Sequence, residues 1–170
     1  MKTKRILLIA LFISLAAVLS IVERSIIIPQ AHPGVKLGLA NVITLLSIIM
    51  LGHKDAFLVV LLRCVLATLV GGNPVSFLFS ITGGLFSTLV MVLLWRTLGQ
   101  HISIVNISII GAVCHNLGQL LVASWLAHEL LLYSLLPILM ISAVITGYAV
   151  GVVTKRVYKS LQARQVKVYS

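Results

Sequence analysis

Six long apolar runs constrain the fold of this chain more than any other feature of its sequence. They cover residues 6–22, 37–51, 56–70, 75–95, 104–127 and 130–153. With 60% hydrophobic and only 9% charged residues, a soluble fold would have too few polar side chains to cover its surface. Lipid accepts only helices or closed barrels, and the runs lack the alternation of barrel strands. We therefore predict an all-α integral membrane bundle of six transmembrane helices.

Two of the runs are short for a lipid-facing helix. Residues 37–51 and 56–70 would each form a helix of about 22 Å, whereas the hydrocarbon layer is about 30 Å thick. We expect the second and third helices to be lengthened by their flanking residues or to lie beside a local dip in the membrane surface.

The basic residues predict the orientation. With six spans both termini lie on one side, and that side collects ten of the thirteen Lys and Arg residues: Lys2, Lys4, Arg5, Lys54, Arg96, Lys155, Arg156, Lys159, Arg164 and Lys167. The positive-inside rule makes this side cytoplasmic. We predict a multi-pass protein of the cell membrane, with a transmembrane domain at 1–155 and a basic cytoplasmic tail at 156–170. Because the charges flank apolar runs instead of forming an aromatic-rich patch, the lipid bilayer is the expected partner and nucleic acid is not.

Arg63 lies in the middle of the third apolar run, "FLVVLLRCVLATLV". A buried arginine there costs from about 3 to more than 10 kcal/mol unless a partner or water meets it, so it should face the bundle interior. It either forms a structural ion pair with Glu23 or Glu129, or it helps to hold an anionic or strongly polar ligand group.

Other polar residues share the predicted depth of Arg63 in the outer half or middle of the membrane. His115, Asn116 and Gln119 fall on one sector of the fifth helix. The full set of candidate substrate-binding residues is Lys36, Asn41, Arg63, Asn73, Ser76, Ser80, His115, Asn116 and Gln119. They predict an outward-facing cavity with amide, hydroxyl, imidazole and cationic groups, although His115 could instead be a satisfied core residue. The segment "HPGVKLGLAN", residues 32–41, is either a bare turn or part turn and part cavity lip.

The chain lacks the motifs of the common enzyme classes. No G-x-x-x-x-G-K-[ST], HExxH, GxSxG or CxxC pattern occurs, and Glu23, Asp55 and Glu129 are its only acidic residues. Without a carboxylate pair or an aspartate cluster, neither acid-base catalysis nor magnesium-dependent binding of a prenyl diphosphate is supported. We predict that the protein is not an enzyme and has no catalytic site, metal site or cofactor.

Small residues recur at close spacing on the first helix, at Ala10, Ser14 and Ala17. Small side chains let another helix approach closely. These positions therefore pack either within the bundle or against a partner protein.

Four segments together resemble a known family: "PGVKLGLANVITLL", Arg63, "SFLFSITGGLFS" and "GAVCHNLGQLLVA". The chain looks like the Gx transporters, which are also labelled heptaprenyl diphosphate synthase component I. That family is similar in size and span number to the substrate-binding S components of energy-coupling factor (ECF) transporters. The resemblance implies a bundle that captures a micronutrient from outside and docks on a membrane scaffold subunit driven by two ATPase subunits. Ala10, Ser14 and Ala17 resemble the helix-one docking motif of S components, with Ser14 in place of an alanine.

The leading hypothesis is therefore an S component for a small polar or anionic micronutrient, or for an isoprenoid-, quinone- or flavin-related precursor. An alternative is a membrane accessory subunit of a heptaprenyl diphosphate synthase. A third is a stand-alone proton-coupled carrier, for which His115 is the one candidate proton-carrying group in the spans.

Overall fold

The computed structural model describes residues 2–25, 38–99 and 101–163, and these residues are all-helical, with no strand. The helices are α1 (Lys2–Ser25), α2 (Leu39–Leu51), α3 (His53–Leu69), α4 (Pro74–Leu98), α5 (Ile104–Ala127), a 3₁₀-helix (Leu130–Leu135) and α6 (Leu136–Ala163). Lys36, most of the segment 32–41 and the tail 164–170 lie outside the described residues. The prediction of an all-α fold is confirmed.

Within the described ranges, four helical segments are long and apolar enough to cross a membrane: Thr3–Glu23, Pro74–Leu98, Ile104–Ala127 and Leu131–Ala163. α3 carries charged residues at its start and Arg63 at its centre, and α2 is only 13 residues long. The count of six spans and the cytoplasmic position of both termini therefore stay predictions.

α2 is the central helix of the bundle. Every residue from Ala40 to Leu51 is buried, and a helix that is apolar on all sides is typically enclosed by protein. Its neighbours are α1, α3, α4, α5 and α6. α2 is not lengthened by its flanking residues, because it runs only from Leu39 to Leu51. The alternative, a local dip in the membrane surface, stays a prediction.

The last apolar run is divided differently from its predicted span of 130–153. Residues Leu130–Leu135 form the 3₁₀-helix, and α6 begins only at Leu136. α6 then continues to Ala163, past the predicted boundary between residues 155 and 156, so Arg156 and Lys159 extend the helix.

Glycines bring α5 and α6 into backbone contact. A Cβ at Gly147 would lie 2.7 Å from Cα of Ile109, and one at Gly151 would lie 2.7 Å from Cα of Val105. The two glycines are four residues apart and follow Ala143, which is fully buried. This is the small-residue spacing that permits close helix packing in membranes. It holds α5 and α6 against each other.

Candidate functional site

A cavity of about 390 Å³ lies at one end of the bundle. Four segments enclose it: the start of α4, the second half of α5, the 3₁₀-helix and the start of α6. Its walls are formed by Asn73, Val75, Ser76, Phe79, Asn116, Gln119, Leu120, Ala123, Leu132, Leu135 and Leu139. The volume falls in the range of pockets for small molecules, and the mainly apolar lining with a few polar groups is typical of them.

Two of the polar lining residues already have structural hydrogen bonds. Nδ2 of Asn116 donates to the backbone oxygen of Leu139 over 3.0 Å, which ties α5 to α6. Oδ1 of Asn73 accepts from the backbone N–H of Ser76 over 2.6 Å and caps α4, whose first residue is the favourable Pro74. These two amides therefore shape the cavity as well as line it.

Gln119 differs from these residues because its amide has no hydrogen-bond partner in the part of the chain that the structure describes. Its side chain is 6% exposed, and both Nε2 and Oε1 are buried without a partner among the described residues. A buried polar group left unsatisfied costs about 1–3 kcal/mol. Since Gln119 lines the cavity, a ligand that reaches this amide can remove that cost.

The position of Gln119 depends on a close approach of α4 and α5. A Cβ at Gly118 would lie 3.1 Å from Cα of Gly83. A Cβ at Gly83 would lie 2.9 Å from both Cγ of Gln119 and the backbone oxygen of His115. The glycine at 83 therefore leaves room for the Gln119 side chain between the two helices.

Arg63 lies on a different side of α4 from this cavity. It is 4% exposed, and its Nη2 donates a long hydrogen bond of 3.5 Å to Oδ1 of Asn41 on α2. The carboxylate of Glu23 adds a favourable electrostatic interaction and accepts a hydrogen bond from the backbone N–H of Gly38. A Cβ at Gly84 would lie 3.3 Å from Nη2, so the guanidinium packs directly on α4.

The nine predicted binding residues therefore fall into separate groups. Asn73, Ser76, Asn116 and Gln119 line the cavity. Asn41 and Arg63 form a buried polar pair elsewhere, Ser80 and His115 are not part of the described lining, and Lys36 lies outside the described residues. Both explanations considered for Arg63, a structural ion pair and a contact with a ligand group, stay predictions.

Sequence reasoning missed most of the apolar wall, including Leu132, Leu135 and Leu139. These leucines belong to the run 130–153, which reads as uniformly lipid-facing. The one signal that could have distinguished these leucines from lipid-facing residues is the polar pair His128 and Glu129 before the run, since this pair indicates a turn.

The predicted docking residues on α1 are only partly at the surface. Ala10 and Ser14 are exposed, and Oγ of Ser14 donates to the backbone oxygen of Ala10 over 2.9 Å. Ala17 is 6% exposed and faces the bundle. The exposed face also carries Leu7 and Leu11.

The described residues contain no group of three or more His, Cys, Asp or Glu that could hold a metal ion. The arrangement at the cavity provides hydrogen bonds and apolar contact, which are the means of binding a small molecule.

Comparison with solved structures shows the fold. The chain is similar to a structure described as the S component of a bacterial ECF transporter, with a TM-score of 0.74 and 20% identity, over 98% of this chain and 100% of that one. No curated protein matches the chain. A family model described as heptaprenyl diphosphate synthase component I matches residues 12–157. The resemblance seen in the sequence is thereby confirmed, and the chain belongs to the family described as heptaprenyl diphosphate synthase component I.

Proposed function

We propose that this protein is the substrate-binding membrane subunit of an ECF-type transporter. It crosses the cell membrane six times with both termini in the cytoplasm, and captures a small molecule from outside for ATP-driven uptake. A membrane scaffold subunit and two ATPase subunits supply the energy, since the sequence has no P-loop of its own. The S-component fold and the cavity at one end of the bundle support this proposal, and a binding subunit of this kind is not an enzyme.

The observation that carries the proposal is the unpartnered amide of Gln119 in the cavity wall. A purely structural glutamine at a helix contact would be expected to have a partner, because buried polar groups are almost always hydrogen-bonded. A cavity of about 390 Å³ beside that amide provides the space for the missing partner.

The described residues that line the cavity also indicate which class of ligand can bind there. They include Asn73, Ser76, Asn116 and Gln119 but no charged side chain. Binding an ion there would require burial of its charge without a counter-charge, which is strongly unfavourable. Within the range of expected substrates, the lining favours a mainly apolar, uncharged molecule with a carbonyl or amide group that can pair with Gln119.

Reconstitution into liposomes tests the proposed function. The purified full chain alone should bind a component of a small-molecule cell extract without nucleotide, as identified by native mass spectrometry. It should accumulate that molecule only when the scaffold and ATPase subunits and ATP are added. Accumulation by the chain alone under a proton gradient would instead show a stand-alone carrier.

The family description supports a second candidate, a membrane accessory subunit of a heptaprenyl diphosphate synthase. This candidate predicts that the chain copurifies with a soluble synthase subunit and changes the chain length or yield of its product. A synthase that has the same activity and product length with and without the chain would exclude it.

For the scaffold we propose contact with the α1 face around Ala10, Ser14 and Ala17. Ala10 and Ser14 are exposed, and their small side chains permit a close helix approach. The bulky substitution Ser14→Trp should reduce copurification with the scaffold subunit. Val144→Trp, at a position on α6 that is 48% exposed, is the matched control and should leave copurification unchanged.

A further inference from the structure

A second groove lies at the opposite end of the bundle from the Gln119 cavity. It has a volume of about 440 Å³ and is formed between the N-terminal turn of α5 and the second half of α6. The described chain places three basic side chains here, Lys155, Arg156 and Lys159, and all three are exposed.

The α6 side of this groove changes from apolar to basic in one direction. Tyr148, Val152, Lys155 and Lys159 follow one another at spacings of three or four residues, so they lie along one stripe of the helix. Tyr148 is 59% exposed and lies nearer the middle of α6, whereas the lysines lie nearer its end. A phospholipid has the same order of polarity, with acyl chains below a charged phosphate.

The described part of the chain places no counter-charge beside these basic residues. The whole chain has three acidic residues against thirteen basic ones. Asp55 is bound to Arg5 at 2.7 Å, Glu23 interacts with Arg63, and Glu129 follows the far end of α5. Among the described residues, Lys155, Arg156 and Lys159 have no ion-pair partner.

The α5 side of the groove also favours an anion. Ser103, which lines the groove, caps α5 by accepting from the backbone N–H of Asn106 over 3.2 Å. α5 is 24 residues long, and the N-terminal end of such a helix has a partial positive charge that attracts phosphate groups.

We propose that this groove is a binding site for an anionic phospholipid. The headgroup phosphate lies among Lys155, Arg156, Lys159 and the N-terminal end of α5, and an acyl chain runs along Val152 and Tyr148. The apolar lower half of the groove selects a lipid over a free phosphate ion, because a free anion gains nothing from that surface. The site is independent of the substrate cavity, which lies at the other end of α5.

Native mass spectrometry of the detergent-solubilised full chain, titrated with phosphatidylglycerol, tests the proposal. The triple variant Lys155→Gln, Arg156→Gln, Lys159→Gln should weaken binding about tenfold or more, since it removes the three cations that would attract the anionic headgroup. The matched control is Lys4→Gln, Lys54→Gln, Arg96→Gln, which removes the same charge from exposed positions outside the groove lining. Its binding should change less than about twofold, and phosphatidylcholine should bind more weakly than phosphatidylglycerol to the wild-type chain.

Three results would overturn the proposal. Equal weakening by the two triple variants would show only general charge attraction, and equal binding of phosphatidylcholine would show no selection of an anion. Displacement of the lipid by glycerol phosphate at equal concentration would show a site for the free headgroup. Thermal unfolding of both variants in the same detergent verifies that each is folded.

Discussion

Arg63 and Gln119 lie against neighbouring glycines of α4 and have very different surroundings. Arg63 packs on Gly84, donates to Asn41 and interacts with Glu23. Gln119 packs on Gly83 and lines a cavity, and its amide has no hydrogen-bond partner among the described residues. The guanidinium of Arg63 thus has a protein hydrogen-bond partner at Nη2 but none at Nε, whereas the amide of Gln119 has none at either polar atom among the described residues.

This difference separates a structural role from a binding role. A buried charge must be compensated at all times, whether or not a ligand is present, so its partners have to belong to the protein. Burial of an unpaired amide costs far less free energy than burial of an unpaired charge. The protein can therefore stay folded with this amide unpaired until a ligand binds. Depth in the membrane alone does not distinguish the two residues, but their neighbours do.

The largest effect should follow from removal of the Arg63 charge. Arg63→Met removes the hydrogen bond to Asn41 and the favourable electrostatic interaction with Glu23, and removing one partner of a buried charged group costs about 3–5 kcal/mol. The unfolding free energy in mixed micelles should fall by about 3 kcal/mol.

The control for Arg63→Met is the double variant Arg63→Met, Glu23→Gln, which removes both charges and should recover part of the lost stability. If Arg63→Met is as stable as the wild type but fails to bind substrate, Arg63 belongs to the binding site. That result would contradict the distinction between Arg63 and Gln119.

The two glycines of α4 provide a matched pair of substitutions. Gly83→Ala places a methyl group 2.9 Å from the backbone oxygen of His115, so α4 and α5 must move apart, and such overpacking costs about 2 kcal/mol. Gly84→Ala meets only the side-chain atoms of Val60 and Arg63, at 3.1 and 3.3 Å. The unfolding free energy of Gly84→Ala should fall by less than about 1 kcal/mol, because the higher helix propensity of alanine offsets part of the cost of this contact.

Thermal unfolding of the two alanine variants measures this difference. If Gly84→Ala is the more damaging change, the tighter contact is on the Arg63 side and the described packing is wrong.

The sequence predicted the limits of some helices well and the lateral position of their side chains poorly. The limits predicted for the fifth span agree with α5, Ile104–Ala127, because hydropathy and the flanking polar residues mark where a helix enters and leaves lipid. The same information does not say how a helix is rotated about its axis. The separation of Arg63 from Gln119 is set by packing at Gly83 and Gly84, so it could not be read from shared depth.

The apolar residues of the site were unpredictable for a related reason. Leu132 and Leu135 line the cavity from a 3₁₀-helix, yet in the sequence they continue an unbroken apolar run. Four of the nine candidate residues line the cavity, Asn73 and Ser76 at the start of α4 and Asn116 and Gln119 on α5.

The smallest of the expected effects concerns Asn73, which both caps α4 and lines the cavity. Asn73→Ala removes the acceptor for the Ser76 N–H and should lower the unfolding free energy by about 1 kcal/mol. Asn73→Asp keeps a hydrogen-bond acceptor at the cap, so its unfolding free energy should fall only slightly. Equal losses in the two variants, measured by the same unfolding assay, would show that the cap does not matter and that the side chain stabilises the fold in another way.

Native mass spectrometry of Gln119→Leu beside the wild-type chain tests the central claim most directly. The substitution removes the unpaired amide at similar volume, so the protein should be at least as stable as the wild type but should no longer retain the small molecule that the wild type carries. Gln162→Leu, at an exposed position on α6, is the matched control and should retain it. If Gln119→Leu carries the same molecule at the same occupancy as the wild type, Gln119 is not the binding group and the cavity beside it is not the substrate site.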